Sequence, residues 1–180
     1  MTHVLASGRS IVVKTMVTHT VTYFAAGVLA FSLFDYPALF SQTALRNVMR
    51  PLDDPMVMAG PLLQPVRGVL FGVVFYFLRE TFFARHNGWV LMWMVLVSCG
   101  ILGTFGAPPG SLEGFIYTVV PRSVQLILLP EVLVQSLLLS WLVFQWVNHP
   151  EKRWLPWTMG AAFVVVLLLP TLGLVAGARR

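Results

Sequence analysis

The sequence predicts an all-α fold: a polytopic transmembrane helical bundle of about five spanning helices, with an interfacial helix and a Pro/Gly-rich, re-entrant loop. Three observations carry that expectation. Of the 180 residues, 57% are hydrophobic and 11% charged, less than half the charged share of about 25% in an ordinary soluble domain. The mean hydropathy is +0.79, and a soluble domain of this length still exposes about a third of its chain surface, so water is the wrong solvent for most of it. The apolar residues also gather into five runs, each near the ~20 residues that a bilayer crossing needs. A single integral membrane domain over residues 1–180 is the expected organisation.

The first run, residues 17–34, follows Arg9 and Lys14 and leads into Asp35-Tyr36-Pro37 without a small-x-small cleavage site. It reads as a retained signal-anchor helix. His19, Tyr23, Ala26, Gly27 and Ala30 make one face of it, the composition of a close packing seam. Residues 38–49 then read as a short interfacial helix ended by Arg50-Pro51, and Asp53-Asp54 as the cap of the helix that follows.

The second run, 60–82, is interrupted by Gln64, Arg67 and Arg79-Glu80. It holds Gly68-x-x-x-Gly72, a spacing that lets another helix approach closely. The third run, 89–105, is short for a span. Residues 101–129 are apolar but broken by Gly103, Gly106, Pro108-Pro109-Gly110, Gly114 and Pro121. Such a segment dips partway into the membrane only where protein or a watery cavity satisfies its backbone. The fourth and fifth runs are 126–147 and 157–175, with Pro170 expected to kink the last helix.

Charge sets the expected orientation. Arg9, Lys14, Arg79, Arg85, Lys152 and Arg153 fall on one side, against Arg46, Arg50 and Arg122 in the loops of the other, to which Arg179-Arg180 adds two. The richer side is read as cytoplasmic, with the N-terminus inside and a bacterial-type inner membrane as the setting. Trp89, Trp93, Trp146, Trp154 and Trp157 fall at the same helix ends, one half of an interfacial belt.

Intramembrane charges are functional-site candidates by default. Arg67 and Glu131 stand about seven and five residues into their runs, at similar depths of roughly 8–10 Å from one face. Glu131, Gln135, Leu138, Leu142 and Gln145 share a helical stripe, and Gln64 sits three residues before Arg67. The expectation is an Arg67–Glu131 ion pair extended by Gln64 and Gln135, either a ligand site or a structural clamp. Glu113, in the broken loop, is a candidate for the cavity rim.

Other chemistry is not legible. His19, His86 and His149, with Glu80 and Glu151, are read at the cytoplasmic ends, and no two stand at the interval that sets two ligands on one helical face. No metal and no cofactor is therefore expected. Cys99 excludes an intrachain disulfide and reads as a packing residue. GxSxG, HExxH, GxxxxGK[ST] and GxGxxG signatures are missing, and Ser111, Ser136 and Ser140 have no histidine expected at their depth. No catalytic residue is assigned. No basic stripe interleaved with aromatics suggests nucleic acid. The expected function is a small membrane-embedded protein that binds an anionic or amphiphilic ligand near Arg67 and Glu131. A structural or accessory subunit of a membrane complex, or a small oligomeric transporter, is the alternative. The expected partners are the lipid bilayer, a lipid or amphiphilic small molecule, and a second copy or a membrane-complex subunit.

Overall fold

A computed structural model describes residues 7–41, 43–103 and 106–177, and every regular element among them is helical. Four helices are long and apolar enough to cross a membrane, so the protein is membrane-embedded. Helix α1 spans Gly8–Leu33, 26 residues, and Ser7 caps it by accepting a hydrogen bond from the Ser10 amide at 3.4 Å. It starts nine residues before the apolar run, because hydropathy marks the greasy part of a helix and not its capped end. Lys14 is therefore carried inside the helix, where its Nζ donates to the Trp146 carbonyl at 2.8 Å.

After α1 the chain turns at Asp35, whose φ of 42° lies in the left-handed region that Asp tolerates better than most residues. The expected interfacial helix is two short ones, α2 (Tyr36–Ser41) and α3 (Thr43–Arg46). Leu39 and Leu45 are buried beneath them with Val120 and Val124. Helix α4 (Pro55–Met58) is capped by Asp54, as expected, through the Met56 amide at 2.7 Å.

Helix α5 (Gly60–Phe77) runs antiparallel along α1. A methyl placed on Gly68 would sit 2.7 Å from the Met16 Cα, and one on Gly72 2.7 Å from the Val12 Cα. One turn further, Gly8 of α1 lies against the Tyr76 ring. Each four-residue step along α5 thus meets a four-residue step back along α1, and the glycines let the two backbones touch. The second run is two helices, since it breaks at Leu78 before α6 (Arg79–Phe82). Arg79 folds back there, its Nη1 donating to the Tyr76 carbonyl at 3.2 Å and its guanidinium 4.7 Å from that ring.

The third run is α7 (Gly88–Val97), which widens into a π-helical turn at Ser98–Leu102. At these lengths it is a shorter apolar helix; its expected end, Phe105, lies outside the described residues, as do Arg179 and Arg180. Helix α8 (Leu112–Tyr117) follows, and α9 (Arg122–Asn148) starts at once after Pro121 and runs through Pro130. The expected broken loop is therefore shorter than read, its last eight residues belonging to α9. Internal prolines are tolerated in spanning helices where neighbours re-satisfy the freed backbone groups. Helix α10 (Trp154–Gly177) also continues through Pro170.

Helix α1 is the hub, with α5, α9 and α10 packed on it and α7 on the far flank of α9. At the end where α1 begins, here the amino end, Ile11, Phe75, Phe82, Met92, Leu139 and Val143 form one apolar core. At the far end Ala30, Tyr36, Leu39, Leu45 and Val124 form a second.

Candidate functional site

Between the two cores lies a polar layer built on His19. This side chain is 1% exposed, near the middle of α1 and not at a helix end as its place near the start of the apolar run implied. Its Nε2 lies 3.2 Å from Gln64 Oε1 on α5, and its Nδ1 lies 3.3 Å from Gln135 Nε2 on α9. Gln64 Nε2 in turn donates to the Gly60 carbonyl at 3.2 Å. With Gln64 Oε1 as an acceptor and the Gln135 amide as a donor, the network assigns a neutral ring with its proton on Nε2. Both ring nitrogens are used, so three helices meet on one imidazole.

This geometry corrects the expected ion pair. Gln64 and Gln135 share the level of His19. Arg67 lies three residues past Gln64 toward the amino end, while Glu131 lies four residues before Gln135 toward the far end. The two charges therefore straddle the His19 layer by about 10 Å along the helix axes. Among the described residues the ion pairs are Arg50–Asp54 at 3.0 Å, Arg79–Glu80 at 3.9 Å and His149–Glu151 at 2.9 Å. Arg67 and Glu131 do not join them. Depth counted from helix starts misled, because α5 and α9 are set by their register on α1.

Each charge has its own surroundings. Arg67 is exposed on the flank of α5, its guanidinium 5.7 Å from the Phe71 ring centroid. Glu131 is half-buried and accepts a short hydrogen bond from the Tyr36 hydroxyl, which the turn at Asp35 delivers over the end of α1. Burial, and then that hydrogen bond, push the Tyr36 hydroxyl well above the usual phenol range. Glu131 Oε1 also lies 3.8 Å from where a methyl on Gly27 would be. A narrow apolar groove of about 70 Å³, between Ala26 and Ala30 of α1 and Pro130 and Val134 of α9, ends on Glu131.

The polar stripe of α9 lies at the edge of its buried face. Gln135, Leu138, Leu142 and Gln145 are half-buried, whereas Leu139 and Val143 are at the centre. Glu113 stands in the first turn of α8, behind its Ser111 cap, on an element that packs with the π-turn and α9. Gln125, which the sequence reading passed over, holds that loop. It is 1% exposed, accepts from the Gly110 amide, and donates to the Gly114 carbonyl at 3.0 Å and to Thr118 Oγ1 at 2.9 Å. Its signal is a lone amide directly before the apolar run 126–147.

The remaining candidates are dispersed. His149 pairs with Glu151, and His86 is exposed in the turn before α7. Ser136 and Ser140 bond back to carbonyls of their own helix. No family model, curated protein or solved structure matches this chain.

Proposed function

We propose that the chain is a small membrane-embedded binding protein whose ligand is an amphiphile with an anionic head group, held by Arg67. One observation carries this reading: Arg67 bears its charge within an apolar spanning helix and, among the described residues, has no carboxylate in ion-pair range. A charge at that place is costly unless it is paired or solvated, and an anionic head group would pair it. The Phe71 ring beside the guanidinium offers a face for the ligand's apolar part. Glu131, tethered by Tyr36, supplies a polar contact beyond the His19 layer.

The test is melting temperature in detergent for the wild type, Arg67→Ala and Glu131→Ala, each with and without a native membrane-lipid extract. Binding at this site requires an extract-induced rise that Arg67→Ala abolishes while remaining folded. A rise that persists in Arg67→Ala removes the reading.

A second reading, a structural or accessory subunit, is supported by the closure of His19 between two amides, which leaves that layer no free donor or acceptor on the ring. On this reading Arg67→Ala is silent, and the protein is recovered with a membrane partner.

We further propose five crossings, α7 being the short one, with the amino end cytoplasmic in a bacterial-type inner membrane. The excess of Arg9, Lys14, Arg79, Arg85, Lys152 and Arg153 at that end supports this orientation. In a Cys99→Ser background, a membrane-impermeant maleimide added to intact cells should label Arg46→Cys and spare Arg153→Cys. The reverse pattern inverts the topology.

A further inference from the structure

Three cations at the amino end belong to one recess. Arg9 and Lys14 of α1 and Lys152 of the α9–α10 turn line a cavity of about 590 Å³, together with Ser7, Ser10 and Trp146. Among the described residues no carboxylate lines it. Glu151, next to Lys152 in the chain, is turned to His149 at 2.9 Å. The two lysines are held in place by neutral partners. Lys14 Nζ donates to the Trp146 carbonyl and Lys152 Nζ to Gln145 Oε1, both at 2.8 Å. An ammonium has three donors, so each lysine keeps two for another acceptor, and neither is in an ion pair among the described residues. Trp146 puts the recess at the level where indoles mark the membrane–water boundary.

We propose that this recess binds a phosphate group, carried by an anionic phospholipid or by a soluble phosphate compound. Basic pockets between spanning helices at such a level are suited to phospholipid head groups. Three cations with spare donors, two of them held in place, match the several acceptor oxygens of a phosphate better than the two of a carboxylate. The site is independent of Arg67, which lies on another helix face.

The experiment uses the full chain in nanodiscs of phosphatidylcholine, with and without phosphatidylglycerol, and in a parallel arm adds inorganic phosphate to the phosphatidylcholine discs. Native mass spectrometry reads retained phosphatidylglycerol, and melting temperature reads stabilisation. The wild type should retain phosphatidylglycerol over phosphatidylcholine, and Arg9→Gln or Lys152→Gln should each weaken retention about fivefold. Arg46→Gln, the same charge change at the far end, should not. Unselective lipid retention with an Arg9-dependent rise in inorganic phosphate assigns the site to a soluble phosphate. Neither effect, or an equal loss in Arg46→Gln, overturns the proposal. Melting in phosphatidylcholine alone checks each variant's fold. If Lys152→Gln is less stable there through loss of its Gln145 bond, Arg9→Gln carries the comparison, since Arg9 is exposed and in no ion pair among the described residues.

Discussion

His19 and Gln64 meet at 3.2 Å across the line where α1 and α5 run closest. The contact sits one turn beyond Gly68, so the histidine and the glycine seam specify the same antiparallel register. Interhelical hydrogen bonds in membranes average about 0.6 kcal/mol and reach about 1.7. A double-mutant cycle of His19→Leu and Gln64→Leu is expected to return a coupling in that range, measured by unfolding in mixed micelles. Either single change should destabilise, because it leaves a buried amide or imidazole without its partner. Strictly additive effects would mean that the two side chains do not recognise each other.

The glycine seam makes a sharper claim, because the atoms in the way are backbone. The methyl of Gly68→Ala would press on the Met16 Cα at 2.7 Å, and that of Gly72→Ala on the Val12 Cα at the same distance. Neither helix can yield without moving as a whole, so each should lose about 1–3 kcal/mol, the usual cost of overpacking. Gly160→Ala in α10, with nothing within 4 Å, should be neutral or slightly stabilising through helix propensity. Equal effects at Gly68 and Gly160 would refute the seam.

That seam was legible in the sequence, since two glycines four apart in an apolar run have few other uses. The Asp54 cap was legible for a similar reason: its chemistry is local. His19 was not, because hydropathy placed the start of the first helix at residue 17 and left the histidine near a membrane face. Ser7 starts that helix ten residues earlier, and His19 moves to mid-helix. The Arg67–Glu131 pairing failed on a related point. Counting from helix ends assumes that the ends are level, whereas contacts on α1 decide how far α5 and α9 slide. Gln64 and Gln135 share a level through His19, a side chain outside the expected group.

Glu131 has Tyr36 as its partner instead, which gives a separate prediction. Tyr36→Phe removes the donor and leaves the half-buried carboxylate to the apolar groove beside Pro130. Hydrogen bonds to charged groups contribute about 1.5–3 kcal/mol, and a loss of that order in unfolding free energy is expected. Glu131→Gln should lose less, because the amide oxygen still accepts from the phenol. A Tyr36→Phe variant as stable as the wild type would show the contact to be idle.

Gln125 should prove necessary for the order of the α8 loop. Gln125→Leu keeps the volume but strips the Gly110 amide, the Gly114 carbonyl and the Thr118 hydroxyl of their shared partner. Limited proteolysis or amide exchange over residues 108–118 should quicken, while exchange in α1 and α5 stays unchanged. Gln125→Glu keeps an acceptor for Gly110 but offers Gly114 no donor when ionised, so it should restore the loop only in part. Uniform loosening of the whole bundle would instead make Gln125 a global packing residue.

Asp54 gives the pH-dependent case. Its carboxylate accepts from the Met56 amide at 2.7 Å and from Arg50 Nη1 at 3.0 Å. The Met56 hydrogen bond first, and Arg50 second, hold its pKa below the ordinary 3.8. A group with a depressed folded pKa gives its full stabilisation above the unfolded value and loses it as pH falls through the folded one. The cap should therefore persist at pH 3.8 and release only in more acidic solution. The Met56 amide chemical shift, followed by NMR on acidification, should titrate with a midpoint below 3.8, and Asp54→Asn should abolish the transition. A midpoint at or above 3.8 would mean that the carboxylate gains nothing from the helix it starts.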